Sequence, residues 1–288
     1  MPNEIAVISG KGGTGKTTIC AALGAIAEKT VMADCDVDAP DLHILLDPNV
    51  ISSRDFIGSK VAEIDEQICT QCGLCETACR FEAIVDNRVN PIACEGCRVC
   101  VQVCPEGAIR MNERVSGHIF SSTTRVGLMA HAKLIAGEGN SGKVVTEVRK
   151  LATQMASSCG SSTVLIDGSP GIGCPVIATV TGIQLGIVVT EPTLSGIHDM
   201  RRVIDLLKRF RVKTAVIINK FDINLENSNM IERYCHENDV EVLGKIKFDP
   251  IMTQSMVAAT TLLEYAPNHE ISNQLRNIWL RVVEILEN

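Results

Sequence analysis

The chain has 288 residues, 45% of them apolar, 21% charged and only 3% aromatic, so it can bury a sizeable core built on Val, Ile, Leu, Ala and Met. Its 27 basic and 34 acidic side chains give a formal charge of −7, which argues against coating nucleic acid by bulk charge. The first apolar stretch, residues 5–8, runs straight into a glycine loop unlike a signal peptide, and no apolar run of about 18 residues is present to span a membrane. A soluble, cytoplasmic protein is expected.

In chain order, short β-branched runs at residues 4–9, 30–34, 163–167, 186–190, 214–218 and 242–246 read as strands. Most are continuously apolar, as in parallel strands buried on both faces. Helical patterns lie between them. One over 16–28 is Ala-rich, one covers 144–156, and one over 198–210 places Met200, Val203, Leu207 and Phe210 on one face. Ser272 could cap a final helix striped by Leu275, Ile278, Val282 and Leu286. This order predicts an α/β, doubly wound, mostly parallel sheet. The rhythm breaks near residue 58 and resumes near 115, so residues 1–57 and 115–288 are expected to form one domain around an inserted α+β module, 58–114. Residues 117–134 alternate loosely as a hairpin, on which His118 and His131 could meet.

The segment Gly10-Lys11-Gly12-Gly13-Thr14-Gly15-Lys16-Thr17, followed by Thr18, closes the first strand and opens the first helix, and it fits the pattern G-x-x-x-x-G-K-[ST]. Backbone N–H groups in such a loop wrap phosphates, and the helix N-terminus adds positive potential. Lys16 would neutralise phosphate charge while the Thr17 hydroxyl completes a Mg²⁺ shell. A nucleoside triphosphate is the expected ligand.

Eight of the 13 cysteines crowd between Cys69 and Cys104, and with no secretory signal they point to metal, not disulfides. They form two C-x2-C-x2-C-x3-C runs, Cys69, Cys72, Cys75, Cys79 and Cys94, Cys97, Cys100, Cys104, the second followed by Pro105. Zinc also binds C-x2-C pairs, but two matched four-cysteine runs favour iron–sulfur clusters. The doubled run resembles bacterial ferredoxin spacing, in which each fourth cysteine ligates the other cluster. That resemblance implies two [4Fe–4S] ligand sets, Cys69, Cys72, Cys75, Cys104 and Cys94, Cys97, Cys100, Cys79. Cys20, Cys35, Cys159 and Cys235 read as buried small hydrophobes.

Lys11 to Thr18 resembles the deviant Walker A motif of the MinD/ParA class of ATPases, which includes the nitrogenase iron protein and Mrp-like cluster carriers. The whole chain resembles MinD-type ATPases with an inserted two-cluster ferredoxin domain. The resemblance implies an Mg-ATP-dependent homodimer in which Lys11 reaches the partner's nucleotide. In Asp34-Cys35-Asp36-Val37-Asp38 it implies that Asp36 orients the attacking water beside Mg²⁺ and that Asp38 assists with the ion. It makes Asp167 the Walker B carboxylate, also toward Mg²⁺, and Asn219 an adenine contact. Asn219-Lys220-Phe221-Asp222 also fits the guanine-reading motif of GTPases, so GTP stays open beside ATP. Cys174 lies near the position of a cluster-ligating cysteine of the nitrogenase iron protein; it reads either as a metal- or substrate-handling thiol or as a packed one. Residues 137–143 read either as an anion-binding helix start or as a capped turn. Two functions follow from the resemblance: ATP-gated electron transfer to a partner metalloprotein, or ATP-driven delivery of a metal cofactor or cluster to a client. DNA partition is disfavoured by the acidic balance, and membrane placement by the ending Glu284-Ile285-Leu286-Glu287.

Overall fold

Continuously apolar sequence builds the middle of a nine-stranded sheet, because these strands are covered by helices on both faces. The computed structural model describes residues 2–135, 137–139 and 141–287. Its strands are β1 (Asn3–Ser9), β2 (Thr30–Cys35), β3 (Asn49–Ile64), β4 (Ile84–Val85), β5 (Arg88–Val89), β6 (Ile109–Thr124), β7 (Gly127–Leu134), β8 (Thr163–Pro170), β9 (Leu185–Thr190), β10 (Lys213–Asn219) and β11 (Glu241–Ile246). The helices are α1 (Lys16–Ile26), α2 (Leu42–Leu46), α3 (Leu74–Thr77), α4 (Val99–Val103), α5 (Ser141–Cys159), α6 (Cys174–Val180), α7 (Leu194–Arg209), α8 (Leu225–Glu237), α9 (Pro250–Val257), α10 (Leu262–Tyr265) and α11 (Glu270–Glu287).

The sheet order is β11-β10-β9-β1-β8-β2-β7-β6-β3, parallel from β11 through β7. Strand order reverses about β1, so a ligand crevice opens beyond the C-terminal ends of β1, β8 and β9. Alternate residues of β1 serve the two faces: Ile5 and Val7 join a core with Ile19 and Leu23 of α1 and Leu275, Ile278 and Val282 of α11. Each such side chain contributes about 1.5–3 kcal/mol on burial. Among the described residues no helix is long and apolar enough to cross a membrane.

The chain divides into two compact units, Met1–Ser53, Ile119–Ala132 and Ser141–Asn288 in one, Arg54–His118 and Lys133–Asn140 in the other. The second unit is an internal repeat with an offset of 25 residues. Asp65 Oδ1 accepts from Gln67 N and Asn90 Oδ1 from Ile92 N, both at 3.0 Å. Cys69 N donates to Asp65 O and Cys94 N to Asn90 O. The halves are crossed: Asp65 N donates to Ala108 O at 2.8 Å, and Asn90 N to Ala83 O at 2.7 Å. Each half therefore closes on the end of the other.

Several sequence expectations shift. β3 was unread because Asn49–Asp55 is exposed on both faces, leaving no period to detect. The hairpin exists as neighbouring β6 and β7, but β6 begins at Ile109. His118 and His131 take separate partners, Asp55 and Ser122. Ser272 is not a cap: α11 starts at Glu270, and the Ser272 hydroxyl donates to Ala266 O at 2.7 Å. α7 starts four residues early because Thr193 caps it, accepting from Gly196 N at 3.0 Å. Cys159 is exposed, since it ends α5 beyond the buried stripe of Val144, Val148, Ala152 and Ala156, and Gly160 turns the chain away at φ 70°. Cys20, Cys35 and Cys235 are buried.

Candidate functional site

The loop between β1 and α1 folds tightly because its glycines permit close approach. A Cβ on Gly10 would meet Asp199 at 2.5 Å, and one on Gly15, at φ 86°, would meet Asn219 Nδ2 at 2.4 Å. Gly12 and Gly13 form the exposed tip, Thr14 is buried, and Thr17 is half-buried. The Thr18 hydroxyl donates to Met256 Sδ at 3.1 Å.

Lys16 is buried against the strand-end carboxylates. Its Nζ lies 2.5 Å from Asp167 Oδ1, 3.3 Å from Asp36 Oδ2 and 3.2 Å from Thr17 Oγ1. Burial works to lower its pKa, but the Asp167 and then Asp36 carboxylates outweigh it and hold the ammonium charged above the usual lysine range. Asp34 and Asp167 are direct register partners on β2 and β8. Burial, and behind it the Asp167 charge, pushes the Asp34 carboxyl well up. Burial also raises Asp36, with Lys16 opposing. Among the described residues, Asp34 Oδ2, Asp167 Oδ2 and Thr14 Oγ1 are buried without hydrogen-bond partners, so the cradle retains acceptor capacity that a hydrated Mg²⁺ would use. Asp38 is exposed and joins none of these contacts.

Lys11 folds back onto its own chain, with Nζ 2.6 Å from Glu191 Oε1. Asn219 Nδ2 donates to Thr14 O at 2.8 Å, bracing the loop. Asp222 Oδ1 accepts from Phe248 N at 2.7 Å. Sequence reasoning missed Glu191 and read Lys220 only as part of the Asn219–Asp222 motif; the two meet at 3.1 Å. The available signal was position: Glu191 follows the end of β9, as Asp167 lies near the end of β8. Cys174 is exposed at the first turn of α6, not packed, and a Cβ on Gly142 would lie 3.4 Å from its Cβ. Of residues 137–143, Asn140 lies outside the described residues, and Ser141, Gly142 and Lys143 form the first turn of α5.

In the second unit the eight cysteines sort into two small pockets, one lined by Cys69, Cys72, Cys75 and Cys104, the other by Cys79, Cys94, Cys97 and Cys100. Cys75 and Cys100 are buried, while Cys72 and Cys97 are exposed. Gln71 and Gly73 in one run, Gly96 and Arg98 in the other, adopt positive φ and curl the backbone around the sulfurs. Gln71 N donates to Cys69 Sγ at 3.4 Å, and Ala83 N and Ala108 N donate to Cys79 and Cys104 Sγ at 3.3 Å. Among the described residues no group of His, Cys, Asp or Glu side chains converges as a single metal ion needs. Two sets of four thiols, with backbone N–H groups on the Cys69, Cys79 and Cys104 sulfurs, are a donor set whose chemistry would suit two iron–sulfur clusters.

A strand, a glycine loop and a helix, with a buried lysine set on strand-end carboxylates, define a P-loop nucleotide-binding protein. The family model "CobQ/CobB/MinD/ParA nucleotide binding domain" matches residues 5–257, and the chain belongs to that family. MinD and ParA proteins of this family are ATPases. The chain is 33% identical over 286 residues to an uncharacterized protein of Methanocaldococcus jannaschii, covering 98% of this chain and 97% of that one. It is 25% identical over 297 residues to the septum site-determining protein MinD of Thermotoga maritima, covering 98% and 88%. Its fold is similar to that of MinD complexed with Mg-ADP from Pyrococcus horikoshii, with a TM-score of 0.63, 19% identity and coverage of 98% and 96%.

Proposed function

We propose that this ATP-binding family member is a homodimeric Mg-ATPase whose nucleotide-driven closure is coupled to electron transfer from two [4Fe–4S] clusters to a partner metalloprotein. The observation that carries this reading is the crossed sorting of eight cysteines into two four-cysteine pockets, on the same polypeptide as a P-loop. Residues 1–57 and 115–288 act as the ATPase domain around the module 58–114.

Lys16 exchanges Asp167 for the β- and γ-phosphates when a triphosphate enters the loop formed by Gly10, Gly12, Gly13, Gly15 and their neighbours. Thr17, Asp36 and Asp167 hold the hydrated metal ion, and Asp36 orients the attacking water. Lys11 reaches the nucleotide of the second copy. Asn219 supports the loop and meets the base. Asp222 Oδ1 already accepts from the Phe248 amide, so a guanine read by both carboxylate oxygens would have to share that acceptor. Cys69, Cys72, Cys75 and Cys104 hold one cluster, and Cys79, Cys94, Cys97 and Cys100 the other. When bound, Mg²⁺ offsets charge on the γ-phosphate, and each cluster takes up and releases one electron.

A second reading, delivery of a metal cofactor or cluster to a client, is favoured by the exposed Cys174 thiol at the start of α6. Anaerobic purification with iron and sulfide counts, followed by low-temperature EPR redox titration with and without ATP, tests the proposal. Two cubane signals whose potentials shift with ATP support electron transfer. Iron passing to a client with unchanged potentials supports delivery. Zinc in place of iron overturns both.

A further inference from the structure

Glu191 joins two lysines over the phosphate loop. Its carboxylate takes the Lys11 ammonium at 2.6 Å and the Lys220 ammonium at 3.1 Å. Lys220 also donates to Gly13 O at 3.1 Å, so Glu191 is tied to the loop through a lysine that is not Lys11. Lys11 is held further by Thr193 Oγ1 and Ser195 Oγ, each at 3.1 Å. This cradle is built into the start of α7. Thr193 Oγ1 caps the helix through Gly196 N, and a Cβ at Gly196 would strike Glu191 O at 2.4 Å. Burial would raise the Glu191 pKa, but hydrogen bonds from Lys11 and Lys220 outweigh it and keep the carboxyl ionised.

We propose that Glu191 is a positioning residue that parks Lys11 on its own chain, and that the triphosphate bound by the second copy draws Lys11 away from it. The inference rests on the dimer reading above and adds the step that makes dimerisation nucleotide-dependent. A carboxylate and a polyphosphate compete for the same ammonium, and the parked geometry keeps that ammonium from engaging another chain. Lys220 stays on Glu191 after Lys11 leaves, so release does not strand a bare, half-buried carboxylate. The Lys11 side chain is 28% exposed in the parked state, so the contact is partly solvated and weak enough to be displaced.

Analytical ultracentrifugation of the full chain, purified anaerobically, tests this with ATP titrated against the parent and the variants Glu191→Gln, Ser195→Ala, Lys11→Ala and Glu191→Gln/Lys11→Ala. Glu191→Gln is expected to lower the ATP concentration at half-dimerisation about tenfold, the size of one partly solvated charge-assisted hydrogen bond. Ser195→Ala, which leaves the α7 cap intact, should shift it in the same direction by less. ATP affinity of the monomer, read by calorimetry at low protein concentration, should change less than twofold. The double variant should lose the gain, because Lys11 is the group released. An unchanged midpoint in both Glu191→Gln and Ser195→Ala, with dimerisation of the parent intact and that of Lys11→Ala lost, overturns the parking role and leaves the dimer reading standing. A parent that stays monomeric in ATP overturns both.

Discussion

Replacing Lys16 with methionine keeps the length of the side chain and removes its charge, which isolates the electrostatics of the nucleotide-free cradle. Only 6% of the Lys16 side chain and 0% of that of Asp167 is exposed, and the pair closes at 2.5 Å. Removing one partner of a buried pair costs about 3–5 kcal/mol, because the remaining charge has neither water nor counter-ion. Proton uptake limits the loss here. Burial already raises Asp34 and Asp36, and without Lys16 these carboxyls hold their protons more tightly still. Groups with raised folded-state pKa values bind more protons folded than unfolded, so stability falls as pH rises from the usual carboxylate range through those raised values. Lys16→Met is therefore expected to be about 3 kcal/mol less stable than the parent at pH 8, about 100-fold in the unfolding constant, with the gap narrowing toward pH 5. Adding Asp167→Asn removes the stranded charge and should recover most of the loss. Urea unfolding followed by circular dichroism, without nucleotide, at pH 5, 6.5 and 8, reads the effect. A variant as stable as the parent at pH 8, or a gap that widens as pH falls, refutes the reasoning.

Gly15→Ala must distort the loop, given φ 86° and Asn219 Nδ2 at 2.4 Å from the new Cβ, and ATP affinity measured by calorimetry should fall about 10- to 100-fold with the fold intact. Cys104→Ser should remove the same cubane EPR signal as Cys69→Ser, and Cys79→Ser the same signal as Cys97→Ser; pairing by sequence run instead would contradict the crossed sets. His131, stacked on Phe120 at 5.0 Å, is lowered to about 4 by burial and then by the His43 charge. Its contribution is present above pH 6.5 and lost as pH falls toward 4, worth at most about 3 kcal/mol and about 2 after solvent screening. Thermal midpoints of His131→Gln should therefore depend less on pH across that window than those of the parent.

The central sheet was legible because β1, β8, β9 and β10 are buried on both faces, and unbroken apolar runs are visible without any tertiary knowledge. The edge strand β3 was not, because a strand exposed on both faces near its start carries no hydrophobic period. Lys16, Asp36 and Asp167 could be named because a loop pattern and two strand ends marked them, and the structure brings the three together. Glu191 escaped because its importance lies in who meets it: Lys11 is 180 positions earlier in the chain, and no local spacing encodes that encounter. The start of α7 escaped for a related reason, since Thr193 serves at once as helix cap and as ligand to Lys11.

The cysteine module poses a charge problem whose solution is written in its protonation. Its buried cluster is small, Ala62, Cys75, Ile84, Cys100 and Ile109, so two of five core residues are thiols. Burial pushes the Cys75 and Cys100 thiols up, which keeps both neutral near pH 7 and lets them pack as small hydrophobes. If the module holds the proposed clusters, which take thiolates, loading would expel those protons and iron affinity would rise with pH. The backbone is already set for the charged form. Ala83 N and Ala108 N point at the Cys79 and Cys104 sulfurs at 3.3 Å, and an N–H···S bond is stronger to a thiolate than to a thiol. The crossed bonds Asp65 N to Ala108 O and Asn90 N to Ala83 O hold the same two residues through their carbonyls, without using the sulfurs. Deprotonation on such loading would strengthen hydrogen bonds from donors held in place by the repeat itself, so the module would gain hydrogen-bond energy at the step where its apolar core gives up two neutral groups.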